Sequence, residues 1–133
     1  MERWLGRFTP QVYALFRIVV GLMFMMHGTQ KILGWPAGGE GPPEGAQMWL
    51  GAVIELACGA LVMIGLFAGW AAFLASGQMA VAFFQFHARN AAGPFPVQNK
   101  GDAAVLFCFA FLLIAAKGSG IWSVQGPRAP HTG

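Results

Sequence analysis

The sequence predicts an all-α integral membrane protein, a bundle of four transmembrane helices with both chain ends on one side. Three observations lead there. Of 133 residues, 56% are hydrophobic and only 10% are Asp, Glu, Lys or Arg, whereas an ordinary soluble domain carries about 25% charged residues. A soluble chain with room for one domain needs polar side chains over most of its surface, and these are too few. The apolar residues also fall into runs long enough to cross a bilayer, separated by stretches rich in Gly and Pro. Finally, the five tryptophans, Trp4, Trp35, Trp49, Trp70 and Trp122, stand at or near the ends of those runs, where indole prefers the headgroup interface.

The first helix is expected over residues 10–33, interrupted only by Arg17. Residues 34–47 hold the Gly, Pro and Glu of a loop. Residues 48–86 contain a single charge, Glu55. One helix of that length would measure ~58 Å, about twice the hydrocarbon thickness, so the segment must fold back. Gly65 and Gly69 mark the turn between helices at 48–66 and 69–87. A second loop with Pro94 and Pro96 leads to a last helix at 102–122, flanked by Asp102 and Lys117. Residues 1–125 form one domain on this reading, and the polar tail 126–133, with Pro127 and Pro130, is expected to be disordered.

The charge pattern excludes some partners. The net charge of +3 comes without a basic block, which argues against a nucleic-acid surface. Cys58 and Cys108 are far apart and form no CxxC pair, so they read as buried small apolar side chains, with no metal site indicated. A cleaved signal peptide is not expected, because the first apolar run continues into His27, Gly28 and Lys31 without a small-x-small cleavage site. Arg3, Arg7, Lys117 and Arg128 gather at one end of the bundle, and Lys31, Arg89 and Lys100 at the other. That small excess places the N- and C-termini in the cytoplasm and the chain in the cell inner (plasma) membrane.

Helical spacing assigns the faces. Arg17, Gly21, Phe24, Gly28 and Lys31 align on the first helix, with His27 beside them. Gly51, Glu55, Gly59 and Val62 share a face of the second. Ala71, Ala75, Gln78, Ala82 and Gln85 form a small and polar stripe on the third, with Phe73, Phe83 and Phe84 elsewhere. Small and polar stripes pack against neighbouring helices in lipid. Counted from the helix ends, His27 lies ~9 Å and Glu55 ~10 Å below the outer surface, so the two could meet. Gln78 is slightly deeper, while His87 and Asp102 stand at the rim.

Ionisable residues within a span are costly and point to function by default. Glu55 is the sharpest: a proton-accepting group for quinone reduction or ion movement, or a structural group paired with Arg17 or hydrogen-bonded to His27. His27 and His87 on facing helices raise haem ligation, but nothing else marks a haem pocket, and ordinary interfacial hydrogen bonds account for them better. Lys31 and Lys117 are expected to snorkel to the headgroups.

The motifs resemble those of the DoxX family of small four-helix membrane proteins. The first helix reads RIVVGLMFMMHGTQKIL, with Arg17, Gly21, Gly28 and Lys31 at the matching positions. The second reads GAVIELACGALVMIGLFAGWAA, with Glu55, Gly59 and Gly65. The fourth begins NKGDAAVL and ends GSGIWSV. Asp102 departs from the family's usual glutamate, and Gln125 from a common aspartate. The resemblance implies a membrane subunit of a quinone-linked oxidoreductase system, with quinone as the candidate cofactor. By residue it implies Arg17, Lys31, Glu55 and Asp102 as functional positions.

Taken together, Glu55 and His27 are the candidate catalytic residues, and Arg17, Lys31, Gln78, His87 and Asp102 the candidate ligand-binding residues. The loops are too short for a soluble cofactor domain, so a redox role requires electrons from a protein partner. The competing reading is a non-catalytic structural or assembly subunit of a larger membrane complex. Self-association into a homo-oligomer is the remaining option, and a transporter of this size would need it. Glu55→Ala is expected to destabilise the bundle or abolish activity, and Glu40→Ala in the loop to do neither.

Overall fold

A computed structural model describes residues 1–39 and 41–129. Glu40 and residues 130–133 of the expected tail lie outside the described residues. The described chain is all-helical. A short α1 (Glu2–Leu5) and a 3-10 turn lead into α2 (Thr9–Leu33); α3 (Ala46–Ile64) and α4 (Ala68–Ala82) form a hairpin; α4 runs on into a π-helical turn (Phe83–His87); and a short α5 (Pro96–Asn99) precedes α6 (Asp102–Lys117). Among the described residues two stretches, Glu2–Leu33 and Ala46–Ile64, are long and apolar enough to cross a membrane. The tryptophans are all exposed, beside helix ends.

Each long helix has a local cause. α2 starts with Pro10 in its first turn and stops at Gly34 in the left-handed conformation, the usual beginning and end of a helix. α3 ends at Gly65 (φ +73), whose N–H donates back to the carbonyls of Leu61 and Val62. A Cβ at residue 65 would also collide with the Ser123 side chain, so glycine is required there for both conformation and space.

α2 and α3 run antiparallel with their backbones in contact. A Cβ at Gly21 would lie 2.5 Å from Met63 N, and one at Gly28 would lie 2.5 Å from Leu56 N. Gly59 meets Met25 in the same way from the other helix. The glycine faces read from the sequence are therefore the α2–α3 seam, where small residues let two backbones approach.

α4 packs on α3 and most extensively on α6, with Ala68, Ala71, Ala72 and Ala75 all buried. Ser76 Oγ donates to Cys108 O at 2.8 Å across the α4–α6 seam. Phe24 joins the halves, with Phe111 at 4.6 Å and Phe107 at 5.6 Å between ring centroids. Cys58 is buried as expected, but Cys108 is only half-buried, because it sits at the edge of the α4–α6 seam.

Two boundaries differ from the sequence reading. The last helix ends at Lys117 rather than residue 122, since Gly118 (φ +82) and Gly120 (φ +70) take the chain out of helical conformation. The segment after it turns back: Val124 N donates to Ile64 O at 2.9 Å and Gln125 N to Gly65 O at 3.2 Å. The third helix changes at Phe83 into a π turn through His87, which no feature of the sequence announced.

Candidate functional site

The buried charges separate toward opposite ends of the helices, and only one group lines a cavity. At one end Arg17 has 0% exposure. Its Nη1 donates to the carbonyls of Val62 (2.8 Å) and Met63 (2.6 Å), and its Nη2 to those of Ile121 (3.3 Å) and Trp122 (2.7 Å). The last carbonyls of a helix have no intrahelical partner and carry the negative end of its dipole. Arg17 supplies both the donors and the positive charge that the end of α3 lacks. The Ser123–Gln125 segment completes the closure, since Gln125 Oε1 accepts from Phe67 N at 3.0 Å at the start of α4. Tyr13 Oη donates to Gly118 O at 2.5 Å beside it. Arg17 therefore pairs with backbone rather than with Glu55, and this end is a clasp joining α2, α3 and the end of α6.

Toward the other end lies a cavity of about 970 Å³ between α2, α3, α4, the π turn and α6, at the upper end of ligand-pocket sizes. Phe24, Ile54, Trp70, Phe73 and Phe107 form apolar wall, and Lys31, Glu55 and Gln78 supply a polar cluster. Glu55 is 4% exposed. Its Oε1 accepts from Lys31 Nζ at 2.7 Å and lies 3.5 Å from Gln78 Nε2. Gln78 is held by a second bond, Nε2 to Gly51 O at 3.1 Å. Lys31 is expected from the sequence to snorkel; the structure ties its Nζ to Glu55 across the α2–α3 seam. Its side chain stays 38% exposed, leaving further N–H groups for a ligand.

The remaining candidates are placed as follows. His27 lines the cavity but makes no hydrogen bond with Glu55; its ring meets Phe107 edge-on at 5.9 Å. His87, on the π turn, also lines it, with Nδ1 3.1 Å from Asn99 O and the ring stacked on Phe83. Asp102 is exposed in the first turn of α6 and is not part of the lining. Its charge complements the positive end of that helix. Among the described residues no cluster of His, Cys, Asp and Glu could hold a metal ion.

Sequence reasoning missed two sets of residues. The aromatic wall is one: Phe24 and Phe107 sit on faces also used for packing, so nothing set them apart. The other is Asn99, 2% exposed. It donates from Nδ2 to Gly93 O at 3.1 Å and accepts at Oδ1 from Gly101 N at 2.9 Å, fixing the turn that begins α6. Its place in the quoted NKGD motif was the available signal.

The DoxX family model matches residues 12–88, a stretch that takes in Arg17, Lys31, Glu55, Gln78 and His87. The chain belongs to the DoxX family. An uncharacterized protein of Haemophilus influenzae is 37% identical over 120 residues, covering 87% of this chain and 90% of that protein. No solved structure matches this chain. DoxX membership and the apolar helices place the chain in a membrane, in contact with lipid. The family match includes both the clasp arginine and the cavity carboxylate, and ends before Asp102.

Proposed function

We propose that this DoxX chain spans the inner membrane with α2, α3, α4 and α6, termini in the cytoplasm, as the membrane subunit of a quinone-linked redox system. The observation that carries the reading is Glu55 Oε2: a buried carboxylate oxygen with no hydrogen-bond partner, in a residue lining a mainly apolar cavity. A carboxylate kept in such a place is costly, and Lys31 satisfies only its other oxygen.

The donor set and walls fit a quinone headgroup. A bound quinone supplies the two-electron, two-proton chemistry that interconverts it with its hydroquinone. Trp70, Phe73 and Phe107 offer aromatic surface for a ring. Lys31 Nζ and the exposed His27 ring offer donors for a carbonyl oxygen, and Glu55 Oε2 is placed to hold or pass a proton. Electrons come from a soluble redox protein, since the loops have no room for a cofactor domain. His87 and Gln78 line the same cavity as binding residues; Arg17 and Asp102 act outside it, as the clasp and the helix-start charge.

The test is affinity purification from native membranes in mild detergent, with the quinone content and the co-purifying proteins identified. A lipid-soluble quinone retained by the wild-type chain and lost in Glu55→Ala, together with a soluble redox partner, supports the proposal. A fixed set of non-redox membrane subunits and no quinone would make the chain a structural or assembly subunit instead.

A further inference from the structure

Two buried acceptors in the polar cluster have nothing to accept from. Glu55 Oε2 and Gln78 Oε1 both lack hydrogen-bond partners, and both residues line the cavity. The orientation of the Gln78 amide is set by its own bond: Nε2 faces the carbonyl of Gly51 at 3.1 Å, which only a donor can do, so the oxygen is left over. Glu55 is likewise fixed, with Oε1 taken by Lys31. A buried acceptor without a donor is destabilising, and a ligand that brings a donor removes that cost.

We infer that the cavity is selective for a headgroup that donates hydrogen bonds, so that of a quinone and its hydroquinone the dihydroxy form is the tighter occupant. This rests on the quinone reading above and sharpens it. A quinone carbonyl facing Glu55 Oε2 or Gln78 Oε1 sets acceptor against acceptor, whereas a hydroxyl donates to either. Lys31 and His27 can donate to a hydroxyl oxygen as readily as to a carbonyl, so they do not offset the difference. Gln78 is the specificity-determining residue on this account, because it adds the neutral acceptor that Lys31 cannot neutralise.

The experiment is calorimetric titration of the detergent-solubilised full chain, without oxygen. Three short-tailed ligands share one ring: the hydroquinone, the quinone, and the hydroquinone dimethyl ether, which has no donor. The hydroquinone is expected to bind at least about tenfold tighter than either of the others, the ratio that about 1.4 kcal/mol corresponds to. Gln78→Met, which keeps length but removes the acceptor, is expected to narrow that ratio. Equal or tighter binding of the quinone by the wild-type chain would overturn the inference while leaving the cavity as a quinone site. Binding of none of the three would overturn both.

Discussion

A guanidinium with no exposed surface needs partners for its donors, and Arg17 places both terminal nitrogens on backbone carbonyls from α3 and from the segment after α6, with Nε left without one. Hydrogen bonds to charged groups contribute about 1.5–3 kcal/mol each and are not additive. Arg17→Ala should therefore cost ~3 kcal/mol or more, seen as a lower Tm in detergent. Arg17→Lys should recover only part, because an ammonium lacks the planar fork that spans two carbonyl pairs. An unchanged Tm for Arg17→Ala would remove the clasp from this description. Glu55 differs: one oxygen is paired with Lys31 and the other is buried without a partner. Glu55→Ala leaves Lys31 without its partner and should cost ~1–3 kcal/mol while abolishing ligand binding. A variant that unfolds no more easily and still binds quinone would show that the carboxylate does neither.

At the scale of elements, the α2–α3 seam rests on glycine. A methyl at Gly28 would sit 2.5 Å from a backbone nitrogen of α3, and backbone cannot rotate away as a side chain can. Gly28→Ala is expected to destabilise by ~1–3 kcal/mol. Gly77 has no atom within 4 Å of its added Cβ, so Gly77→Ala should be neutral or gain up to ~1 kcal/mol from helix propensity. Thermal unfolding of the two variants side by side checks the contrast; equal Tm values would deny the close approach. The seam was legible in the sequence because Gly21, Gly28 and Gly59 recur at helical spacing with Arg17 and Glu55. The π turn at Phe83–His87 was not, since its residues continue an ordinary apolar run. The end of α6 was misread because Ile121 and Trp122 resume apolar character just beyond Lys117, Gly118, Ser119 and Gly120, although a basic residue followed by glycine is a helix-stop signal.

At the scale of the whole molecule, the charges read from the sequence divide into two jobs at two ends. Periodicity placed Arg17 and Glu55 on buried helix faces, while Gln85 of the third-helix stripe is exposed; counting along the helices put Glu55 near the level of His27. Neither could choose its partner, because Arg17, His27 and Lys31 all lie on or beside the same α2 face. What settles it is that Arg17 lies within reach of the Val62 and Met63 carbonyls at the C-terminal end of α3. Such backbone partners leave no signature in side-chain sequence. Asp102 carried a family likeness yet stands outside the cavity, whereas the aromatic wall carried none. If both termini are cytoplasmic, a C-terminal green fluorescent protein fusion should fluoresce and a C-terminal alkaline phosphatase fusion should be inactive; the reverse result would invert the topology.

The central claim is that the cavity above Lys31, Glu55 and Gln78 receives a quinone-type ring. Photolabelling in native membranes with an azido-quinone, followed by peptide mapping, tests it most directly. Label on the peptides carrying Trp70 to Gln78 or Phe107, competed by unlabelled quinone, is the predicted result. Competable label confined to the Arg17 end, or no competable label at all, would contradict it.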